Sequence, residues 1–561
     1  MGISDLQDGH KIIHDPVTKA NLFNIQFSSV FSIPTLSKPT YWNSTYPSMA
    51  KITVSRAGVL KLMANIREHK ATGPDGIPER LLKYCALELA DTFTLLFQKS
   101  LEQGIVPIDW KKAKIVPIFK KGDRSKVENY RPISLTSISC KLLEHIVHSN
   151  VMDHLDAHKI LNNAQHGFRQ RRSCETQLIT TLDDFSKCLN KKQQIDGILL
   201  DFSKAFDKVD HHKLLIKLHD FGIHNSLHTW MESFLLGRQQ TVIVDGVESS
   251  PKPVLSGVPQ GTVLGPLLFL IYINDITQKL SPGTVIRLFA DDSLLYRIIK
   301  SPKDAEILQH DLDTLQEWEA ENKMEFHPGK CLVLRITNKL KPLLSDYKIH
   351  NTILSITNSA KYLGVTIDSN LNWNQHVNNI TSKANSTLAF IQRNTYSCHR
   401  NVKEKCYKAF VRPILEYGCC VWDPHHNNQI EQLEKIQKRA ARFITQNYEF
   451  KSGNTRKNME NLGWVPLQER RARNKLNILF KAKHSLIDIP IDSLKSSNSK
   501  TRGHSCNFFV PSSSVDSHLY SFYPSTIRLW NSLPENIKSA DSLSAFTNQL
   551  TNITCAPTIS K

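Results

Sequence analysis

The sequence contains no apolar run long enough to cross a bilayer. The longest, Val263–Ile273, includes Gly265 and Pro266 and falls short of the roughly 20 residues a membrane helix needs. It reads as a buried helix, and no membrane role is supported. An apolar leader is also missing, since Met1–His14 is polar and charged. The 11 cysteines in 561 residues follow no framework: there is no C-x-x-C and no zinc knuckle. Cys398, His399, Cys406, Cys419, Cys420, His425 and His426 are ligand types, but their spacing matches no standard zinc site. These absences argue against a disulfide-stapled secreted module and for reduced, mostly buried thiols inside a cell. No internal repeat is evident.

What the chain does have is positive charge, and carboxylates in telling places. Lys and Arg number 71 against 52 Asp and Glu, a formal charge of +19, which favours a polyanionic partner, nucleic acid first. Asp291 and Asp292 lie between the apolar runs Val285–Ala290 and Ser293–Tyr296, the pattern of strand, turn and strand with a carboxylate pair at the tip. Adjacent ionised carboxylates repel, so a fold that keeps them together usually supplies a cation. Asp201 ends another apolar run, Ile198–Leu200. Carboxylates converging from separate strands can hold two divalent ions about 3.5–4 Å apart, the arrangement used for phosphoryl transfer. Any single aspartate is more commonly a turn residue or a helix cap. Three at strand ends in a basic chain point instead to a nucleotide polymerase.

The surrounding pattern places these residues on elements. Residues 1–51 are rich in Ser, Thr, Pro and Asn and read as a linker or a truncated edge. Pro78 opens a helix expected to turn Leu81, Leu82, Leu87, Leu89, Phe93, Leu96 and Phe97 inward. Asp210 is an N-cap and Gly222 a stop for the helix that follows Asp201. Thr241–Val244 is a strand closed by the Asp245-Gly246 turn. Later segments, Ile380–Arg393, Val402–Phe410 and Gln429–Ile444, are basic helices, and Ser496–Gly503 reads as a linker.

The run Leu200-Asp201-Phe202-Ser203-Lys204-Ala205-Phe206-Asp207-Lys208-Val209-Asp210-His211 resembles motif A of reverse transcriptases. Ser256–Pro266 resembles motif B, and Phe289-Ala290-Asp291-Asp292 resembles motif C, in the family's order and spacing. Gly73–Gly76, Asn129–Leu135, Gln165–Arg169 and Lys361–Gly364 add further matches, so the resemblance runs over roughly residues 55–480. Its type is the LINE-like, jockey-like polymerase of non-LTR retrotransposons rather than the retroviral enzyme.

That resemblance implies an RNA-directed DNA polymerase that adds deoxynucleotides to a primer 3′ end. Asp201 and Asp291 would be the main metal ligands, with Asp292 their partner and the backbone carbonyl of Phe202 an added ligand. Two magnesium ions, or manganese, are the implied cofactor. Phe206 falls where an aromatic under the sugar excludes a ribose 2′-hydroxyl; an ordinary core Phe is the plain alternative. Gln260 and Gly261 belong to a loop that lets backbone approach nucleotide and template. Arg131, with Lys120 or Lys121, would grip the triphosphate, although a solvated turn explains the lysines equally well. Lys330 matches the lysine that protonates pyrophosphate, while His327 and Cys331 depart from the family's Asn and Ser or Thr at those places.

The implied fold class is α+β, a right-hand polymerase. Helical fingers would occupy 52–195, an antiparallel-sheet palm 196–370, a basic helical thumb 371–480, a linker 481–506 and a small C-terminal segment 507–561. Expected partners are an RNA template, a DNA primer or target, and deoxynucleoside triphosphates, with thumb Lys and Arg tracking the sugar-phosphate backbone. The clusters Arg169-Gln170-Arg171-Arg172 and Arg470-Arg471-Ala472-Arg473 are candidates for phosphate contact or nuclear targeting, and the nucleus is the expected place of action. With the fingers starting near 52 there is no room for an endonuclease ahead of them, and no ribonuclease H carboxylate set follows the thumb. A 5′-truncated element product unable to nick its own target is therefore expected. Two rival readings stay open: a group II intron maturase-like RNA-binding protein, and a catalytically decayed RNA-binding remnant.

Overall fold

The computed structural model describes residues 2–33, 39–41, 44–69, 71–448, 454–492, 494–495 and 506–553; the linker read at Ser496–Gly503 lies outside the described residues. The chain forms two compact units, each gathered from three stretches. The first comprises Met1–Phe168, Phe202–Leu280 and Asp313–His327; the second comprises Arg169–Asp201, Ser281–Leu312 and Pro328–Lys561.

The first unit is built on a sheet in which Lys112–Phe119 pairs antiparallel with Tyr130–Leu135 and parallel with Gln239–Val244. The Asp245-Gly246 turn then returns the chain to Val247–Glu248, with φ of 50° and 86° at its two residues, the left-handed pair a tight hairpin turn demands. Part of residues 1–51, expected as a linker or a truncated edge, is instead regular structure. Leu6–Asp8 pairs with Lys11–Ile13, and Pro16–Ser28 is a helix whose N-cap Asp15 accepts from the Thr18 N–H at 2.8 Å. Ala20, Phe23 and Phe27 recur at helical spacing and are buried with Ile115, Tyr130, Val242 and Val244. Burial of that stripe outweighs the polar composition that suggested a linker. Asn24 fixes the helix further, donating to the Ser249 hydroxyl at 3.0 Å and accepting from Gln240 at 2.9 Å.

The helix expected after Pro78 is two helices, Glu79–Tyr84 and Ala86–Gln103, broken at Cys85. The break shifts the phase, so Leu81, Leu87 and Leu96 are exposed while Leu82 and Phe97 are buried. The apolar run at Val263–Ile273 is the buried helix Leu264–Ile273. Asp210 caps His211–Asp220 by accepting from the Lys213 N–H at 3.0 Å, and Gly222 follows that helix at φ +85°.

The second unit holds a five-stranded sheet in the order Ser355–Thr357, Leu332–Ile336, Ile195–Leu200, Asp292–Ile298, Thr284–Phe289. All neighbours are antiparallel except the outer pair Leu332–Ile336 and Ser355–Thr357, which is parallel. This bears out an α+β class with a mainly antiparallel sheet. One face buries Ile195, Leu294, Tyr296, Leu334 and Ile336 together with Leu178, Leu182 and Phe185 of the helix Cys174–Asn190. Beyond Asn372 the unit is helical: Asn374–Asn394, Arg400–Cys406, Asn427–Thr445 and Leu467–Lys483 lead to a smaller cluster in which Trp530 and Phe546 pack on Leu476 and Phe480.

His376 is buried in this helical part. Its ring lies edge-on to Trp422 at 4.9 Å, and its Nδ1 accepts from the Thr366 N–H at 3.2 Å. Burial, helped by the nearby Lys361 charge, lowers its pKa from 6.5 to about 4. The unfolded chain therefore binds a proton below pH 6.5 that the folded chain refuses until about pH 4. Stability is complete above pH 6.5 and falls as pH drops through that window, by about 3 kcal/mol at most for this group. His376→Asn, whose side-chain oxygen can still accept from Thr366, is expected to flatten the fall in unfolding temperature between pH 6.5 and 4.5. An unchanged slope would show that His376 is not the group responsible.

Candidate active site

The apolar strand Ile195–Leu200 lies between two neighbours and is almost wholly buried, so Asp201 is the first residue to emerge from it. The strand beside it begins at the other two carboxylates. Phe289 pairs with Asp292 across a two-residue turn of Ala290 and Asp291, and Ser293 pairs with Leu200. One further step of that register sets Asp201 opposite Asp292. The sheet thus delivers Asp201, Asp291 and Asp292 to one end. Ala290 holds φ at 55° and is buried, so the turn accepts only a small side chain there. Arg287, on the partner strand of the hairpin, donates to Asp184 at 2.8 Å and to the Tyr296 hydroxyl at 3.1 Å, tying the hairpin to the helix Cys174–Asn190. Lys330 joins the carboxylates, its Nζ 3.2 Å from an Asp201 oxygen.

Asp291 and Asp292 are exposed, and the Asp201 side chain is half-exposed. Among the described residues no three His, Cys, Asp or Glu side chains close into a metal-binding group. The donor chemistry nevertheless fits a hard divalent ion: every donor is a carboxylate oxygen, and the three start from one sheet end. Asp292 also acts on its surroundings. The Tyr362 hydroxyl, which accepts from Gln177 at 3.1 Å, is pushed well above its ordinary range by burial, and the Asp292 charge adds in the same direction.

A second constellation lies in the first unit. The turn Phe206–Asp207 is clasped by the loop Ser256–Gln260. The Gly257 N–H donates to the Val209 carbonyl and the Val258 N–H to the Phe206 carbonyl, both at 2.8 Å. Ser256 Oγ donates to the Asp207 carbonyl at 2.7 Å, and Gln260 Nε2 donates to Asp207 Oδ1 at 3.0 Å. Gly257 has φ +87°, and a Cβ there would meet Asp207 Cα, Asp207 O and Phe206 O at 2.8 Å each. Gly261 has φ +102°, and a Cβ would lie 2.6 Å from the Ser134 carbonyl. Both glycines are thus required by conformation and by close backbone approach. Phe206 stacks on Phe269 with centroids 4.3 Å apart and planes at 15°, so its ring is held in one orientation.

Arg131 is exposed on the strand that carries Ser134, and its charge reaches Asp207. Lys120 stands exposed at the end of the adjoining strand, where its N–H donates to the Asn129 carbonyl at 2.8 Å. Phe202 is buried, stacked on Phe326 at 4.3 Å. The structure therefore gathers the predicted residues in two sets: Asp201, Asp291, Asp292 and Lys330 in the second unit, and Phe206, Gln260, Gly261 and Arg131 in the first.

Two residues escaped the sequence reading. Asp207 is the acceptor that fixes the Gln260 amide; burial raises its carboxyl pKa against the opposing pull of Lys204, Gln260 and Arg131. It was visible within motif A but carried no assigned role. Glu144 is fully buried and accepts from the Val263 and Leu264 N–H groups at 2.7 and 3.0 Å, satisfying the free donors at the start of the motif B helix. Nothing in the sequence marks a helix-borne glutamate for that task.

The arginine cluster at 470–473 is corrected. Arg471 is fully buried against Asp423, Arg470 pairs with Glu416, and Arg473 pairs with Glu469 at 3.0 Å. Lys475 adds a second bond to Asp423, and together these cations hold the Asp423 carboxyl below its usual range although burial opposes them. Each of the three arginines is thus engaged in an ion pair, and Arg471 is wholly withdrawn from the surface. In the other cluster, Arg172 is bonded to Asp488.

Carboxylates at a strand end and a hairpin tip in one unit, and a glycine loop clasping the Phe206–Asp207 turn in the other, are features expected of a nucleotide-polymerase domain. Residues 118–367 match the family "Reverse transcriptase (RNA-dependent DNA polymerase)". The chain is 28% identical over 411 residues to the "RNA-directed DNA polymerase from mobile element jockey" of Drosophila melanogaster, covering 71% of this chain and 44% of that protein. The protein of the same name from Drosophila funebris is 30% identical over 402 residues, covering 69% and 43%. The "Probable RNA-directed DNA polymerase from transposon BS" of Drosophila melanogaster is 27% identical over 447 residues, covering 76% and 49%. A solved apo telomerase from Candida tropicalis aligns with a TM-score of 0.34 and 13% identity over 48% of this chain and 55% of that one, too distant to add to the fold assignment. Residues 118–367 therefore match a reverse transcriptase domain, and the chain is similar to the RNA-directed DNA polymerases of these mobile elements. It spans less than half the length of these relatives. Members of this family generally use divalent metal ions. Among the described residues, no helix is long and apolar enough to cross a membrane.

Proposed function

We propose that this chain is an RNA-directed DNA polymerase that extends a primer 3′ end along an RNA template with deoxynucleoside triphosphates. The observation that carries the reading is the ladder that brings Asp201 beside the Asp291–Asp292 hairpin, with Lys330 on Asp201. Asp201, Asp291 and Asp292 would hold two divalent ions, magnesium by preference, with the Phe202 carbonyl as a further donor. Bound there, the ions would activate the primer hydroxyl and stabilise the departing pyrophosphate. Lys330 is a proton donor for that leaving group. Arg131 and Lys120 grip the triphosphate, and Gln260 and Gly261 shape the floor under the incoming nucleotide. In hand terms, fingers span 52–195, palm 196–370 and thumb 371–480, and the nucleus is the place of action. Mobile-element polymerase relatives do not favour the intron-maturase alternative.

Primer extension on poly(rA)/oligo(dT) with magnesium tests the activity: dTTP is incorporated by the wild type, and absence of product refutes the catalytic reading. Phe206 gives a second handle. Held by Phe269, its ring cannot swing aside for a 2′-hydroxyl. Phe206→Val is expected to raise incorporation of ribonucleotides relative to deoxynucleotides by roughly tenfold or more, an effect of about 1.4 kcal/mol. Equal discrimination by wild type and variant would return Phe206 to an ordinary packing role.

A further inference from the structure

In the first unit, the Gln260 side chain is held by its nitrogen. Its Nε2 donates to Asp207 Oδ1 at 3.0 Å, and its backbone carbonyl accepts from the Ser134 N–H at 3.0 Å. Asp207 is held in turn. Its N–H donates to the Lys204 carbonyl at 3.0 Å, and its carbonyl accepts from Ser256 Oγ at 2.7 Å. Phe27, Phe31 and Ile115 share a cavity of about 40 Å³ with Asp207 and Gln260, so the bond between them lies beside apolar walls, where a hydrogen bond is stronger than in water. The Lys204 and Arg131 charges and the Gln260 bond favour the ionised form of the Asp207 carboxyl, against burial. An ionised carboxylate only accepts, whereas an amide donates at one end and accepts at the other. Asp207 therefore dictates the sense of the amide: nitrogen turned toward the carboxylate, oxygen turned away.

We infer that Asp207 is a positioning residue for nucleotide binding, which it serves by making the oxygen of the Gln260 amide, rather than the nitrogen, the end that meets the incoming nucleotide. This role rests on the polymerase function proposed above and adds to it a means of orienting the substrate. A deoxynucleoside triphosphate is chemically two-ended. Its nucleoside carries hydroxyl and N–H donors, while its ionised phosphates only accept. An amide oxygen attracts the first end and repels the second, and an amide nitrogen does the reverse. Held by Asp207, Gln260 favours the nucleoside end over the loop and leaves the triphosphate to the Arg131 cation, on the strand that carries Ser134. Without Asp207 the amide is free to turn, and its N–H can take a phosphate oxygen instead.

The test is equilibrium binding to the full chain on poly(rA) with a dideoxy-terminated oligo(dT) primer and magnesium. Radiolabelled dTTP is the probe, and inorganic tripolyphosphate is its competitor. Asp207→Leu, which fills the space but accepts nothing, is expected to weaken dTTP by about tenfold while leaving tripolyphosphate within about twofold of wild type. In a Gln260→Leu background the same substitution should cost less than about twofold, because Asp207 acts through that amide. Asp207→Asn keeps an acceptor but no longer enforces the sense of the amide. It is the second variant should the leucine fail to fold, and it is expected to weaken dTTP by about threefold with the same two controls. Parallel losses of dTTP and tripolyphosphate, an undiminished loss in the Gln260→Leu background, or unchanged dTTP affinity in the Asp207 variants would overturn the role. So would a wild type that binds no dTTP. Primer extension with an unblocked primer separates the two claims. A wild type that binds dTTP but extends nothing sinks the polymerase function alone, and one that extends while the Asp207 variants bind dTTP normally sinks the positioning role alone.

Discussion

Asp291→Asn is expected to cut primer extension by about 10³-fold or more while leaving RNA binding within about twofold of wild type. The substitution is nearly isosteric and removes one charge from the tip of a two-residue turn. Phe289 still pairs with Asp292 through the backbone, which the substitution leaves unaltered. What is lost is an anionic oxygen donor, and neutral amides bind hard cations far less well. Metal stabilisation of a phosphoryl-transfer transition state is worth several kcal/mol, each 1.36 kcal/mol being tenfold in rate. Initial rates of dTTP incorporation with filter binding of labelled RNA check both halves. Extension at the wild-type rate would remove Asp291 from the chemistry.

Gly257→Ala is expected to lower stability by about 3–5 kcal/mol and to abolish extension with it. The position needs φ +87°, and the added methyl would meet backbone atoms on every side: Asp207 Cα and O, and Phe206 O, at 2.8 Å. None of these can rotate away as a side chain could. The clasp between motif B and motif A must open, and Gln260 then loses its bond to Asp207. Gly246→Ala is the matching control. It has nearly the same φ, +86°, but nothing within 4 Å of its added Cβ, so only the conformational cost remains, roughly 1 kcal/mol. Unfolding midpoints of the two variants should therefore differ widely. Equal midpoints would mean the clasp is loose enough to absorb a methyl.

Much of this was legible in the sequence because the signals are local. Asp-Gly specified a hairpin turn, Asp210 a cap, and Val263–Ile273 a buried helix, each through interactions within a few residues. The carboxylates could be placed at strand ends for the same reason. Failures arose where partners are distant. Pro16–Ser28 is a helix because Phe23 and Phe27 meet Ile115, Tyr130 and Val242, residues remote in sequence, so local composition misled. Arg471 looked like a free cation until Asp423 was found beside it. Glu144 and Asp207 hold motif B from two separate segments, and no spacing rule announces such long-range acceptors.

The interleaving of the two units bears on how the chain is made. Every segment of the first unit has left the ribosome by His327, whereas the second still awaits its strands Leu332–Ile336 and Ser355–Thr357 and its helical remainder. During synthesis the apolar strand Ile195–Leu200 must wait, unpaired, for Asp292–Ile298 on one side and Leu332–Ile336 on the other. A nascent chain paused in that interval displays an unpaired sheet edge, the kind of surface that aggregates or recruits chaperones. Slow translation through the stretch before Leu332 would thus expose the folding of the catalytic sheet to its greatest hazard.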